Sequence, residues 1–337
     1  MTIGLIVILI LVLCLPFFVK PIERNLEFFL FVMGFIAAMI SGVLDQGLWI
    51  RALKNPIYIT LVVMVASLFF KWLRQPIQRI IRKVTQTLEI NVFLTMMIVL
   101  LGLLSSVITA IVAAIVLVFI ISMLRIDRET EIRAVILSCF SIGFGSVLTP
   151  VGEPLATITT SKLDQSFSFL FHLIGMEVIL GVLAIGIFAL FFLKPKRIVR
   201  EEGGDNSESY VTIFSRSLKI YLFVMGLTLL GSSYETIVNQ YLLDLNTGFL
   251  YWINIVSAVL DNATLAAAEI SPAMQVDTIR FILLSLIISG GMLIPGNIPN
   301  IIAANKLGIT SKEWAKYGLP IGITIMTILF AYLTFTS

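Results

Sequence analysis

The sequence predicts an all-α polytopic membrane protein built from inverted structural repeats, each with a re-entrant helical hairpin and a broken transmembrane helix. The 337 residues are 58% hydrophobic and only 13% charged. Several apolar runs reach the ~20 residues needed to cross a bilayer. Two phrases from the first half also recur in the second half, with glycine and proline at matching places. These observations together define the fold class.

The recurring phrases come as two pairs. SSVITAIVAAIV at 105–116 matches SAVLDNATLAAA at 257–268, and GSVLTPVGEP at 145–154 matches GGMLIPGNIP at 290–299. The second pair shares one glycine, one leucine and two prolines in register. Helix interruptions at corresponding places in two halves point to a transporter binding site near the bilayer midplane. The pattern therefore favours a secondary transporter.

Apolar runs predict eight membrane-crossing segments and two hairpins. The crossing segments are 2–19, 28–43, 57–73, 134–160, 169–193, 218–233, 281–305 and 315–336. The apolar stretches 90–124 and 248–270 carry a recurring phrase in their middle, so each is expected to enter and leave on one side. Two full crossings would need more than the ~35 residues of the longer stretch. The run at 2–19 lacks the positive start and cleavage site of a signal peptide, so it is expected to be retained.

The basic residues fall unequally on the two sides that this arrangement defines. Nineteen of the 23 Lys and Arg residues lie in the connecting segments 20–27, 71–90, 125–133, 194–219 and 306–316. The other side holds Arg51, Lys54, Lys162 and Arg280. The positive-inside rule assigns the basic side to the cytoplasm and leaves both termini outside. We expect a multi-pass protein of the plasma (inner) membrane of a prokaryote.

The predicted divisions are N-terminal scaffold spans at 1–56, a first repeat at 57–193, a polar cytoplasmic linker at 194–217 and a second repeat at 218–337. The first repeat contains the hairpin at 90–124 and the broken helix at 134–160. The second contains those at 248–270 and 281–305. The repeats enter the membrane from opposite sides.

Carboxylates inside predicted membrane segments are costly and mark candidate functional sites. Asp261 lies at the tip of the second hairpin, and Glu153 lies in the break of the first broken helix. Freed carbonyls and side-chain oxygens at such breaks can bind a hard cation such as Na⁺. A helix cap is the alternative role for Asp261. Glu177 lies in an unbroken span, so pairing with His172 or a hydroxyl is its alternative. Glu269 is expected near the outer end of its hairpin arm, where water solvates it.

Neutral oxygen donors are concentrated at the four predicted breaks. These donors are Ser105, Ser106, Thr109, Thr149, Thr157, Ser257, Asn262, Thr264, Asn297 and Asn300. Single hydroxyls in such helices usually bond their own turn or support close packing, which is the alternative to ion binding. The recurring phrases pair Asp261 with Thr109 and Glu153 with Ile298, so each repeat contributes one acid.

Two acids without a nearby deep Lys or Arg favour a cation, with Na⁺ bound at Asp261, Glu153 and neighbouring backbone carbonyls. A carboxylate that binds Na⁺ and H⁺ in turn produces antiport. An anion site remains an alternative because helix N-termini favour negative groups. A lone histidine, two cysteines in apolar runs and no Gly-rich phosphate loop argue against a metalloenzyme or an ATPase. We expect no enzymatic activity, no cofactor and no nucleic-acid partner.

At residues 257–262 the sequence resembles the ion-transporter superfamily, which includes NhaD-type sodium/proton antiporters, arsenite permeases and sodium-coupled dicarboxylate symporters. SAVLDNATLAAA is similar to the antiporters' hairpin motif, and LTPVGEP is similar to their Pro-Ile-Gly-acid segment. The resemblance covers about residues 57–337 and implies re-entrant hairpins, a homodimer and elevator-like movement. By position it implies an ion site lined by Asp261, Asn262, Thr264, Thr149 and Glu153.

The chain departs from that family pattern at Thr109 and Ala110, where the antiporters tend to repeat Asp-Asn. It is also short for the superfamily, and it is expected to form a cation-transporter branch. The expected function is Na⁺(Li⁺)/H⁺ antiport by an elevator mechanism. Na⁺-coupled symport of a small anion such as a dicarboxylate, or an arsenite-type permease, is the alternative. The expected partners are membrane lipid, Na⁺, H⁺ and a second copy of the chain.

Overall fold

A computed structural model describes residues 1–124, 126–196, 210–241 and 245–336. Within these residues the chain is 85% helical and has no strands, so the all-α class is confirmed. The helices are α1 (Thr2–Phe18), α2 (Lys20–Arg24), α3 (Leu26–Ser41), α4 (Gln46–Thr87), α5 (Ile90–Ile108), α6 (Ala110–Met123), α7 (Arg128–Ser146), α8 (Pro154–Lys162), α9 (Phe169–Phe192), α10 (Tyr210–Tyr241), α11 (Thr247–Ile253), α12 (Asn262–Glu269), α13 (Val276–Met292), α14 (Ile298–Leu307) and α15 (Ser311–Thr336). Short 3₁₀ turns lie at Asn254–Ala258 and Ile294–Gly296.

Five stretches of the described helices are long and apolar enough to cross a membrane. They are Gln46–Val65, Ile90–Ile108, Phe169–Phe192, Tyr210–Glu235 and Ser311–Thr336. The helices α1, α3 and α6 are shorter but also apolar. Large apolar side chains such as Phe18, Phe191 and Phe335 are exposed on the outside of the molecule. These features identify a helical membrane protein.

Helix interruptions occur on all four recurring phrases. Thr109 alone separates α5 from α6, and residues 259–261 separate the 3₁₀ turn after α11 from α12. Residues 147–153 separate α7 from α8, and residues 293–297 separate α13 from α14. Proline follows each of the last two breaks within the first two residues of the new helix, where its missing N–H is tolerated.

Predicted span boundaries fall inside two continuous helices, α4 and α10. The span expected to begin at residue 57 belongs to α4, which begins at Gln46 and runs through Pro56. Arg51 and Lys54 precede the predicted span, but both side chains are exposed on the helix and do not interrupt it. The last part of the predicted linker is the beginning of α10, from Tyr210. Residues 197–209 of that linker lie outside the described part of the chain.

The helices α7 and α13 form the centre of the molecule and contact each other, and their side chains are mostly buried. Contacts around them come in matching pairs. α5 packs on α7, and the corresponding segment of the second half, α11 with its 3₁₀ turn, packs on α13. In the same way, α9 packs on α7 and α15 packs on α13. α4 packs on α6 as α10 packs on α12. The remaining pair crosses the halves, because α8 packs on α12 and α14 packs on α6.

The N-terminal helices lie against the second half of the chain. α3 packs along α10, and a Cβ atom added to Gly34 would come within 2.5 Å of the Gly226 carbonyl oxygen. Tyr234 of α10 also donates a hydrogen bond of 2.6 Å to the Leu5 carbonyl of α1. The predicted scaffold spans are thus held to the bundle mainly through α10.

Candidate functional site

Short contacts link the N-termini of α6, α8, α12 and α14. Their N-cap residues are Thr109, Glu153, Asp261 and Asn297. The Ala110 amide donates to the Gly152 carbonyl at 2.8 Å, which joins the tip of the first hairpin to the first helix break. Glu153 lies beside Asn297 and interacts electrostatically with Asp261. The four breaks therefore meet at one polar centre.

The two hairpin tips have the same capping arrangement. Thr109 Oγ1 accepts from the Val112 amide at 3.4 Å, and Asp261 Oδ2 accepts from the Thr264 amide at 3.1 Å. The Thr264 hydroxyl donates to the same Asp261 oxygen at 3.1 Å. Asp261 is therefore a helix cap, which is the alternative role predicted for it. The capping bonds occupy Oδ2, and the side chain stays partly exposed next to Glu153.

Glu153 differs from an ordinary helix cap. Its backbone is extended (φ −156°), and its side chain makes no capping hydrogen bond to α8. The residue is 5% exposed, and no described residue donates a well-directed hydrogen bond to either carboxylate oxygen. Ser146, whose own hydroxyl donates to the Gly143 carbonyl, and Asn297 lie beside it. A buried carboxylate without well-directed donors is costly, so a proton or a cation would stabilise this position.

Asparagine side chains line the second break and the second hairpin tip. Asn297 is the N-cap of α14 with an extended backbone (φ −153°) like that of Glu153, and it packs against Gly143 of α7. The structure thus pairs Glu153 with Asn297, which corrects the predicted pairing with Ile298 by one residue. The recurring phrases match when their prolines are superimposed, which pairs Glu153 with Ile298. The N-caps of α8 and α14 instead define Glu153 and Asn297 as the equivalent positions.

Asn300 and Asn262 both adjoin Gly290. The Asn300 Nδ2 donates to the carbonyls of Gly290 (2.8 Å) and Leu293 (2.9 Å), which closes the end of α13. Among the described residues, the Asn300 Oδ1 has no donor and the Asn262 Nδ2 has no acceptor, although both are buried. The amide side chains thus leave hydrogen-bonding capacity unused at the second break.

Several predicted hydroxyls serve the helix breaks themselves. Ser105 Oγ donates to the carbonyls of Gly102 (2.6 Å) and Ile142 (3.0 Å), and Ser257 Oγ donates to the Leu286 carbonyl (3.3 Å). Each serine thereby ties its hairpin arm to the broken helix of the same half. Thr149 Oγ1 donates to the Ser106 carbonyl at 2.5 Å, which joins the first hairpin to the first break.

Two further hydroxyls bond near their own turn. Ser106 Oγ donates to the Leu103 carbonyl at 2.9 Å. Thr157 Oγ1 contacts the carbonyls of Pro150 and Glu153, the latter at 3.3 Å. These groups shape the breaks, as expected for single hydroxyls in membrane helices.

Glu177 forms an ion pair with Arg280, and both side chains are largely buried. His172, suggested as its partner, instead places Nδ1 at 2.7 Å from the Ser168 carbonyl. The carboxylate thus has a structural partner that sequence spacing did not reveal, since Arg280 lies 103 residues away. Ser146 was also missed, because a serine at the end of an apolar helix gave no signal of its own.

A cavity approaches the second break from the side of the basic segments. Its volume is about 430 Å³, and its wall includes Lys20, Lys219 and Thr310. A narrow apolar space of about 20 Å³ follows, bounded by Val259 and Leu293. The two spaces share Leu26, Ile294 and Ser311 in their walls.

The bundle and its polar centre define a class: a helical membrane protein with two acids at helix interruptions. The chain belongs to the DUF1646 family, whose description reads "protein of unknown function", and the family match covers residues 2–336. No curated protein matches the chain.

Proposed function

We propose that this protein is a secondary active transporter that exchanges Na⁺ or Li⁺ for H⁺. The Glu153 carboxylate carries the proposal, because it is buried at a helix break, no described residue gives it a well-directed hydrogen bond, and it interacts electrostatically with Asp261. Two facing carboxylates cannot both remain charged without compensation. A cation bound between them, or protons bound to them, would remove the repulsion. Competition between those occupants produces antiport.

Helix dipoles set the remaining electrostatics of the centre. Each helix N-terminus carries about half a positive charge, and four of them meet here. They offset part of the charge of Glu153 and Asp261, so that a bound cation can leave again. The same N-termini favour the alternative, Na⁺-coupled uptake of a small anion. The two carboxylates oppose an anion, and we therefore prefer cation exchange.

The paired helix contacts support two inverted repeats with re-entrant hairpins at 90–124 and 248–270. The crossed packing of α8 on α12 and α14 on α6 is what a two-fold axis in the membrane plane would produce. We extend the proposal to an elevator mechanism, in which hairpins and broken helices move against a scaffold that includes α1 and α3. Contacts between two copies of the chain would fix that scaffold in the membrane while the other helices move.

The orientation is part of the proposal, with both termini outside the plasma membrane of a prokaryote. Cysteine substitutions at Ser166 and Asn206 test it, and Asn206 lies outside the described residues. An impermeant maleimide should label position 166 in intact cells and position 206 only after permeabilisation. Labelling of position 206 in intact cells would contradict the orientation.

Proteoliposomes with an internal pH dye test the proposed exchange directly. Addition of Na⁺ or Li⁺ to acid-loaded vesicles should raise internal pH, and K⁺ should have no effect. When succinate is added together with Na⁺, the vesicles should take up no succinate. Dicarboxylate uptake without a Na⁺-dependent pH change would replace antiport with symport.

A further inference from the structure

A third buried acid lies away from the polar centre. Glu269 is the last residue of α12 and is 0% exposed. No described residue donates a well-directed hydrogen bond to either of its oxygens. The sequence placed Glu269 in water at the outer end of its hairpin arm, and that expectation is wrong because neighbouring helices cover the side chain.

The side chain next to Glu269 is Asn254, which starts the 3₁₀ turn of the facing hairpin arm. Asn254 is 0% exposed, and its Oδ1 has no donor among the described residues. Its Nδ2 donates to Ser285 Oγ of α13 at 2.9 Å, and that hydroxyl donates to the Ile282 carbonyl at 2.8 Å. The place where the hairpin meets α13 therefore holds several oxygens and too few donors.

Lys162 reaches the same end of α12 from α8. Its ammonium donates to the carbonyls of Ala267 and Ile270, the latter at 3.0 Å, and so caps the helix C-terminus. It makes no ion pair with Glu269 among the described contacts. The lysine thus supplies a cap for α12 and leaves the carboxylate without a counter-charge.

The first half of the chain indicates that the fold does not require an acid here. By the recurring phrases, Leu117 corresponds to Glu269 and Gly102 corresponds to Asn254. Leu117 is fully buried, and Gly102 allows α5 and α7 to approach so closely that a Cβ would overlap Ser141. Apolar close packing fills the position in one half, whereas unpartnered oxygens occupy it in the other.

We propose that Glu269, Asn254 and Ser285 form a second binding position for a monovalent metal cation. It is separate from the Glu153–Asp261 position, because eight residues of helix place Glu269 about 12 Å from Asp261. The identity of the cation as Na⁺ or Li⁺ rests on the proposed function. The position lies at the base of the second hairpin, and Asp261 lies at its tip.

Equilibrium binding of ²²Na⁺ to purified protein at alkaline pH tests the proposal. The wild type should bind two Na⁺ per chain, and Glu269→Gln and Asn254→Ala should each bind one. Asp261→Asn should also bind one, and the double variant Asp261→Asn with Glu269→Gln should bind none. Glu129→Gln, which removes an exposed acid at the start of α7, is the matched control and should keep two.

The outcomes distinguish failure of the second position from failure of the proposed exchange. If Glu269→Gln retains the wild-type count while Asp261→Asn loses one ion, the second position is wrong and the proposed exchange stands. A wild type that binds one Na⁺ has the same meaning. A wild type that binds none overturns the proposed function along with the inference. Asn254→Ala leaves the carboxylate in place, so it also decides the question if Glu269→Gln fails to fold.

Discussion

The two halves of the molecule share a backbone plan but differ in their chemistry. Thr109 and Asp261 cap the second arms of the two hairpins in the same way, and Glu153 and Asn297 begin the second parts of the two broken helices. One member of each pair is an acid and the other is neutral. The halves also differ in size, because α5 and α6 are longer than their counterparts around residues 247–269.

This difference separates the groups that make the fold from those that make the site. Caps, glycines and prolines recur because any helix break must satisfy its backbone amides and carbonyls. Acids do not recur, and under the proposed function one carboxylate from each half is enough to neutralise one cation. A pair of acids in each half would leave four charges in a buried centre, at a large desolvation cost.

The largest expected effect on exchange comes from neutralising Asp261 at the second hairpin tip, compared with truncating Thr109 at the first. Changing a residue that only supports a metal ligand lowers metal affinity about 10–100-fold, so Asp261→Asn, which removes a proposed charged ligand, should lower exchange by at least ~100-fold. Thr109→Ala removes only a cap and should lower exchange less than about tenfold. Exchange rates in proteoliposomes at matched protein levels check both values. Equal losses at both tips would mean that the two tips have the same role.

Gly145 and Gly290 occupy matching positions in the two halves, but replacing each by alanine should destabilise the protein to different extents. A Cβ atom at Gly145 would lie 1.7 Å from the Gly102 carbonyl oxygen, whereas one at Gly290 would meet the Gly296 carbonyl oxygen at 3.1 Å. Gly145→Ala should therefore lower the free energy of unfolding by about 3 kcal/mol, and Gly290→Ala by about 1 kcal/mol or less. Denaturant titration in detergent measures both. Similar losses would show that the α5–α7 contact adjusts freely.

The hairpin tips also differ in backbone strain. Thr109 has φ +74°, which disfavours a β-branched residue, and Asp261 has φ −56°. Strain of this kind costs of the order of 1–3 kcal/mol, and replacing a cap by glycine costs only a few tenths. Thr109→Gly should therefore raise the unfolding free energy by about 0.5–1 kcal/mol. Asp261→Gly should lower the unfolding free energy. A change of the same sign in both variants would contradict the inferred difference in backbone strain.

The smallest effect concerns the starts of the two central helices. Asp127 caps α7 by accepting from the Thr130 amide at 3.0 Å, whereas Gln275 makes no side-chain cap at the start of α13. Asp127→Ala should cost about 1 kcal/mol and Gln275→Ala close to none. The same denaturant titration checks this difference, and equal costs would contradict it.

The Asp127 cap also predicts a pH dependence. Burial alone would raise the pKa of Asp127, but backbone amides of Lys196 and Thr130 outweigh it and lower the pKa. Because the folded pKa is lowered, the stabilisation is complete above the unfolded value of about 3.9 and is lost as pH falls through the folded value. Asp127→Ala should remove this part of the acid sensitivity.

The sequence predicted the helical class and the places of all four breaks, because glycine, proline and recurring phrases carry that information locally. It also singled out Glu153 and Asp261 as candidate site residues, since acids in apolar segments are rare, and the structure brings these two residues to neighbouring helix breaks. It failed where partners are distant in the chain. Arg280 pairs with Glu177 from another helix, and helices that cover Glu269 are brought there only by folding.

Helix ends were predicted less well than helix breaks. The apolar run predicted a span that begins after Arg51 and Lys54, yet α4 continues through both because exposed charged side chains do not interrupt a helix. The roles of Ser105 and Ser257 were also hidden, since hydrogen bonds to the carbonyls of another helix depend on how the helices cross.

Calorimetric titration of wild type and Glu153→Gln with Na⁺ and with succinate tests the central claim, that one acid from each half shares one cation. The account predicts that Glu153→Gln weakens Na⁺ binding at least ~10-fold, equivalent to about 1.4 kcal/mol. It also predicts that neither protein binds succinate. Unchanged Na⁺ affinity together with tighter succinate binding by Glu153→Gln would contradict the account, because the acid would then only repel an anionic substrate.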